Sequence, residues 1–272
     1  MATSSTKDQR RAARERLRVR REARARRAGS RGRLLLGGAV AVVLAFAAGI
    51  GVHAAASSGP GGSSPDGPAG GPFVQPAHTT GRDGIVLPYG RADARHTLTV
   101  WVDARCPFCA GFEQGLGATV KEQADAGEYR VEYRFATFLD ASPGGGQGSR
   151  RALNALGAAV NEGPEKFVEY LRVLFANHPA QETEDRFGST ATLLELADGV
   201  PGLRTPAFNR AVKELTYMPW VEKVGQAFYD ENVNGTPSVF VDGRRITVNS
   251  GRGIESITPD AFRALVTENR RP

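Results

Sequence analysis

Residues 34–56 form a run of 23 residues without a charged side chain, and this run divides the chain into unlike parts. A helix needs about 20 consecutive apolar residues to cross the hydrocarbon core of a bilayer, so the run predicts a single transmembrane helix. Residues 1–33 hold thirteen Lys and Arg against three acids. Because basic flanks stay on the cytoplasmic side, we expect a single-pass protein of the cell membrane with a cytoplasmic tail and with everything after residue 56 outside.

A cleaved signal peptide is the alternative interpretation of this segment, because Ala54, Ala55 and Ala56 offer small residues to a signal peptidase. The apolar run is longer than the roughly 7–15 residues of a signal-peptide core, which favours a signal anchor that contacts membrane lipid through residues 34–56. The net charge of +6 comes from the tail, which carries +10 by itself and leaves −4 for the other 239 residues. A mildly acidic remainder gives no reason to expect a nucleic-acid partner.

The rest of the chain separates into a linker and a folded domain. Residues 57–81 are dominated by Gly, Pro, Ser and Ala and hold too few large apolar side chains to fold, which predicts a flexible linker. Residues 82–272 show the patterns of an α/β domain with a helical block at about 147–232. The predicted strands are, in chain order, 85–87, Thr97–Val102, 129–135, Ser238–Val241 and 244–248.

Two local signals mark the end of this domain. Asp242-Gly243 joins the last two predicted strands and indicates a two-residue hairpin. Thr258, followed by a proline, indicates the cap of a last helix. The predicted order of elements is therefore β, α, β, helical block, β-hairpin, α.

The chain has two cysteines, Cys106 and Cys109, which stand three positions apart between a predicted strand and a predicted helix. A disulfide across so short a loop gives little stability, so redox chemistry explains the pair better than a structural role. Two thiols and four scattered histidines do not make a zinc site, and no metal is expected. Pro107 suits the first helical position and leaves Cys106 at the cap, where free N–H groups of the first turn favour a thiolate. Cys109, one turn in, is placed to attack a mixed disulfide at Cys106.

The helix that follows the cysteines combines an apolar row with several glycines. Large apolar side chains recur at four-residue steps and are expected to share one buried face. They are Phe108, Phe112, Leu116 and Val120. Three glycines weaken the helix by about 1 kcal/mol each relative to Ala, and they indicate a kink, close packing or simply a poor helix held by its neighbours. They are Gly111, Gly115 and Gly117.

Thr236-Pro237 precedes the predicted hairpin, where a proline is tolerated only in special geometry such as a cis bond. With this feature the chain resembles the thioredoxin superfamily and, within it, the DsbA-like proteins, over about 85–270. The two signatures of that family are a C-P-x-C at a helix start and a cis-proline after Thr or Val, and they appear here as CPFC and GTPSVFVDG. The family also has a helical insertion at the place of the block at 147–232.

The resemblance implies a thioredoxin-like α/β domain with an inserted helical subdomain, and disulfide exchange with secreted or envelope proteins. Cys106 would be the attacking sulfur and Cys109 the resolving thiol, while Thr236 and Pro237 would shape the groove that holds the partner cysteine. An oxidase of this kind implies a membrane reoxidase coupled to quinone; no metal or organic cofactor is implied, and a monomer is expected. The alternatives are a reductase in the same compartment and a non-catalytic binding module that keeps the fold.

Two positions depart from the family's pattern. In DsbA the residue before the second cysteine is His, which helps to stabilise the thiolate, whereas this chain has Phe108. We therefore expect a weaker oxidant than DsbA. The family often has a buried acid six residues before the first cysteine, thought to move the proton of the second thiol, and this chain has Val100 there. Asp103 and Arg105 are nearer to the motif in sequence, but the direction of their side chains cannot be read from it.

Overall fold

A computed structural model describes residues 72–142, 145–179, 181 and 184–272 of the chain. The basic tail, the segment 34–56 and the first part of the predicted linker lie outside the described residues. Within the residues that are described, no helix is both long and apolar enough to cross a membrane.

A five-stranded sheet forms the centre of the domain. Its strands are β1 (Leu87–Tyr89), β2 (Thr97–Val102), β3 (Arg130–Phe135), β4 (Ser238–Val241) and β5 (Arg244–Ile246). They lie in the order β1-β3-β2-β4-β5, with β2 parallel to β3 and every other pair of neighbours antiparallel. The first strand starts at Leu87 rather than at the predicted residue 85, and Val86 instead pairs with Thr80 in an isolated bridge.

The described residues contain seven α-helices. They are α1 (Pro107–Asp125), α2 (Gly148–Glu162), α3 (Pro164–Ala176), α4 (Thr190–Ala197), α5 (Pro206–Lys213), α6 (Met218–Asp230) and α7 (Pro259–Asn269). Three short 3-10 turns lie at Arg82–Gly84, Phe138–Ala141 and Arg186–Gly188. Helices α2 to α6 follow one another between β3 and β4, and α3 packs against both α2 and α1. The helical block therefore rests directly on the helix that starts with the cysteines.

The strand β2, which leads to the cysteines, is buried in the middle of the sheet. Leu98, Val100 and Val102 have no exposed surface, and Trp101 between them is buried as well. A strand with neighbours on both sides and apolar side chains on both faces is held by packing and by hydrogen bonds at once. The turn after Val102 therefore starts from a firmly held base.

Helix α1 buries most of the apolar row that the sequence indicates. Phe112, Leu116 and Val120 belong to the core, but Phe108 is 44% exposed. Each four-residue step exceeds a full helical turn by about 40°, so a row of such positions winds around the helix. The first member of the row thereby leaves the buried face, and the predicted shared face is wrong for Phe108.

The predicted linker 57–81 ends earlier than its composition indicates. Pro76 is buried, and the N–H of Ala77 donates to Oδ1 of Asn161 in α2 at 3.0 Å. The segment has few apolar groups of its own, but the domain supplies both a surface and a hydrogen-bond acceptor for it. Its last residues are therefore part of the folded domain.

The hairpin and the last helix cap form as predicted. Asp242 and Gly243 have φ angles of 49° and 80°, and a type I′ turn requires positive φ at both central residues. The hydroxyl oxygen of Thr258 accepts the N–H of Ala261 at 3.3 Å at the start of α7.

Candidate active site

Cys106 occupies the cap position of α1, as the sequence predicts. Its backbone is extended, with φ −77° and ψ 119°, and Pro107 is the first helical residue. The N–H of Cys106 donates to the carbonyl oxygen of Asp103 at 3.0 Å, and its own carbonyl accepts the N–H of Ala110 at 3.0 Å. These bonds place the sulfur at the positive end of the helix dipole, where a thiolate is stabilised.

The two thiols have opposite electrostatic environments. A hydrogen bond from the Cys109 thiol lowers the pKa of Cys106 to about 7 against the effect of burial, with help from the Thr236 hydroxyl and from the N–H groups of Cys109 and Phe108. The Cys109 side chain has no exposed surface, and burial raises its pKa well above the usual value. When the pair carries one negative charge, that charge therefore resides on Cys106.

The loop before β4 brings the second predicted feature to the sulfurs. The bond between Thr236 and Pro237 is cis, as predicted. In its thiol form Cys106 donates a hydrogen bond from Sγ to the carbonyl oxygen of Thr236 at 3.4 Å, across 130 positions of sequence. The Thr236 hydroxyl is buried and, among the described residues, has no partner besides the two sulfurs whose pKa values it lowers. The structure thus brings the motif and the cis-proline loop together.

Two apolar side chains near the sulfurs are exposed, one within the motif and one in a loop that packs on α1. Phe108 is exposed at the start of α1, and Ile254, in the loop before α7, is 47% exposed. The carbonyl oxygen of Ile254 lies 1.9 Å from the place that a Cβ at Gly111 would take, and Oγ of Ser256 lies 2.1 Å from that of Gly115. For Gly111 and Gly115, close packing is therefore the correct interpretation, because any side chain there would push the loop off the helix. Sequence reasoning missed this loop, for which the glycine spacing is the available signal.

The position of the family's buried acid carries no charge here, since Val100 packs in the sheet. Asp103 and Arg105 are instead buried directly before the motif. Burial raises the pKa of Asp103 to about 6, against the hydrogen bonds that Ser149 and two backbone N–H groups donate to it. A second buried acid, Glu113, lies one turn beyond Cys109 in α1. The sequence pattern indicated neither acid as buried.

A cysteine pair spaced C-P-x-C at a helix start, facing a cis-proline on a thioredoxin-like sheet, defines the class of protein thiol–disulfide oxidoreductases, and this chain is one of them. Residues 82–268 match the family model described as Thioredoxin. This match spans more than half of the chain, which belongs to the thioredoxin family. No curated protein matches the chain in sequence.

Solved structures of DsbA and DsbG type are similar to this chain. The disulfide bond oxidoreductase DsbG from Mycobacterium tuberculosis, in its reduced form, is 25% identical and has a TM-score of 0.57 over 69% of this chain and 88% of its own. DsbA from the same organism is 26% identical, with a TM-score of 0.56 over 68% of this chain and 92% of its own. BdbD from Bacillus subtilis is 21% identical, with a TM-score of 0.56 over 72% and 95%, and at that identity the likeness concerns the fold alone.

Proposed function

We propose that this chain is a membrane-anchored extracytoplasmic oxidase that forms disulfides in secreted or envelope proteins through Cys106 and Cys109. The observation that carries the proposal is the asymmetry of the two thiols. The one at the helix cap has a lowered pKa and contacts the loop of Thr236, while the other is fully buried with a raised pKa. Oxidising power rises with the stability of the reduced, thiolate form, so a stabilised Cys106 thiolate favours the oxidase direction.

The reaction consists of two exchanges. A partner thiolate attacks Sγ of Cys106 in the disulfide, the bond to Cys109 breaks, and Cys109 leaves and takes up a proton because burial raises its pKa. A second partner thiolate then attacks the partner sulfur of the mixed disulfide, and Cys106 leaves as a thiolate. The lowered pKa makes Cys106 the better leaving group in this step. The partner protein loses two electrons, and the cysteine pair gains them.

Trapping of mixed disulfides tests the roles of the two cysteines. With Cys109→Ala, no thiol remains to release a partner, so Cys106 should accumulate disulfide-linked complexes that disappear on reduction. The matched variant Cys106→Ala should trap far fewer, because its remaining thiol is buried. Equal trapping by the two variants would show that the assignment of attacking and resolving cysteine is wrong.

The anchored topology rests on the sequence. The basic residues 1–33 and the uncharged run 34–56 support a cytoplasmic N-terminus and a domain outside. We further propose that the protein works as a monomer and that a membrane reoxidase coupled to quinone restores its disulfide, as the resemblance to DsbA-like proteins implies. Protease added to intact spheroplasts should remove the domain after residue 82 and spare the basic tail. A mature protein that begins at residue 57 would instead establish a cleaved signal peptide and a secreted form.

A further inference from the structure

The turn between β2 and α1 is tied to the helical insertion by buried side chains, among them that of Asp103, which has no exposed surface. Its Oδ1 accepts the N–H of Arg105 at 3.0 Å and the hydroxyl of Ser149 at 2.6 Å, and its Oδ2 accepts the N–H of Leu139 at 3.3 Å. Its carbonyl oxygen accepts the N–H of Cys106. The residue therefore both closes the turn that ends at the reactive sulfur and joins that turn to distant parts of the chain.

The segments that donate to Asp103, around Leu139 and Ser149, are themselves held by hydrogen bonds. Ser149 lies in the first turn of α2, and Asp140 caps that helix by accepting the N–H groups of Ser149 at 2.9 Å and Arg150 at 3.0 Å. Arg105, next to the motif, donates to the carbonyl oxygen of Leu139 at 3.1 Å and approaches the carboxylate of Asp140 at 3.4 Å. The start of α2 thus has a defined position relative to the turn before the cysteines.

We propose that Asp103 is a positioning residue for Cys106. Through its hydrogen bonds with Ser149 and Leu139, Asp103 holds the turn that aims the sulfur at the first N–H groups of α1. The inference rests on the proposed function, because it concerns the reactivity of that thiol. It assigns the helical insertion a part in setting that reactivity, since the first turn of α2 donates the shortest of the hydrogen bonds to Asp103. In this role the carboxylate of Asp103 touches neither the partner protein nor the reacting bond; the backbone N–H of Asp103, which hydrogen-bonds to Cys109, is left in place by side-chain substitutions.

Charge and position act on Cys106 in opposite directions, which makes the inference testable. If Asp103 acted through its negative charge, it would disfavour a thiolate nearby, and its removal would make Cys106 more reactive. If it acts by holding the turn, its removal loosens the cap, and Cys106 becomes less reactive. Ser149→Ala sharpens the test, because it leaves the carboxyl group of Asp103 and its bond from Arg105 in place. Loss of the Ser149 donor raises the pKa of Asp103 and removes negative charge, which would speed the reaction of Cys106, so a slower reaction reports the loosened turn.

The experiment measures how fast iodoacetamide modifies Cys106 in the full chain, reduced and held in detergent, with the modified residue located by mass spectrometry. Relative to wild type at pH 6, we expect Asp103→Ala to slow the reaction about tenfold and Ser149→Ala about threefold, since they remove three hydrogen bonds and one. Asp103→Asn keeps one acceptor oxygen but no longer accepts from Leu139, and should lie between them. The midpoint of the rate's pH profile should rise in the same order.

The matched control is Ser189→Ala, which removes a serine cap from α4 in the same insertion without touching the turn. It should react at the wild-type rate. Circular dichroism identifies variants that fold, and Ser149→Ala keeps the test valid if Asp103→Ala does not. Folded variants that react as fast as wild type, or faster, would overturn the inference alone. A wild-type Cys106 as slow as an ordinary thiol at pH 6 would overturn the proposed function and the inference together.

Discussion

Among the described residues two acids are buried, and they occupy neighbouring regions but opposite environments. Asp103, in the turn before α1, accepts three hydrogen bonds, whereas neither carboxylate oxygen of Glu113, in the middle of α1, has a partner among the described residues. Burial raises the pKa of both, to about 6 for Asp103 and about 8 for Glu113. The difference teaches that hydrogen bonding, more than burial, decides which of two buried acids keeps its charge at neutral pH.

The surroundings of Glu113 explain how an unpaired acid fits there. Its Oε2 lies 2.5 Å from the place that a Cβ at Gly117 would take, so the missing side chain of Gly117 makes room for the carboxyl group. The charge of Arg172 in α3 lowers the pKa of Glu113 but is outweighed by burial. At neutral pH Glu113 is therefore mostly protonated, while Asp103 is mostly ionised.

The largest expected effect comes from Glu113→Gln. Folding raises the pKa of Glu113 from about 4.5 to about 8, so between these pH values the folded protein binds more protons than the unfolded chain. The free energy of unfolding therefore falls as the pH rises through this window. This group alone should remove on the order of 4 kcal/mol over that window, and the Gln variant should not show that loss. Urea unfolding of both proteins at pH 5, 7 and 9 measures it. Parallel profiles would mean that Glu113 is ionised or paired when folded.

Glu113→Gln should raise the free energy of unfolding relative to wild type at pH 7, because it avoids the loss described above. The same type of substitution at Asp103 should lower the free energy of unfolding at that pH. Asp103→Asn turns an acceptor towards the N–H of Leu139 into a donor, and should cost roughly 2 kcal/mol of unfolding free energy. In the wild type, the pKa of Asp103 is raised to about 6, so the stability that depends on its ionisation is lost as the pH rises from about 4 to 6 and changes little above that. Urea unfolding at pH 7 checks this. A stabilised Asn variant would show that the two regions do not differ as described.

The smallest expected effect is that of Arg172→Gln. Its exposed charge lowers the pKa of Glu113, so its removal should raise that pKa further and cost at most about 0.5 kcal/mol at pH 9. In the background of Glu113→Gln the same substitution should have no such effect at pH 9. A larger effect that persists in the double variant would come from contacts of Arg172 other than Glu113.

Local features of the fold could be predicted from the sequence, because their causes are local. The strand Thr97–Val102 follows from its own composition, and the turn at Asp242-Gly243 follows from the φ angles that its residues tolerate. The cap position of Cys106 and the place of Cys109 one turn into the helix follow likewise from Pro107 at the start of the helix.

The polar interior of the site could not be predicted, because its causes are distant in sequence. Two of the three partners of the Asp103 carboxylate stand 36 and 46 positions away, and no spacing rule connects Leu139 or Ser149 to it. The exposure of Phe108 depends on where the buried face of α1 begins, and the row of apolar residues does not contain that information.

The reduction potential of the Cys106–Cys109 pair tests the central claim most directly. The helix cap stabilises the Cys106 thiolate, but Phe108 supplies neither the charge nor the hydrogen bond of a histidine. We therefore expect a potential between about −270 mV, the value of thioredoxin, and about −120 mV, the value of DsbA, and expect Phe108→His to raise it by several tens of millivolts. Equilibration of the full chain with glutathione buffers measures both proteins. A wild-type potential at or below about −270 mV would contradict the oxidase and favour a reductase.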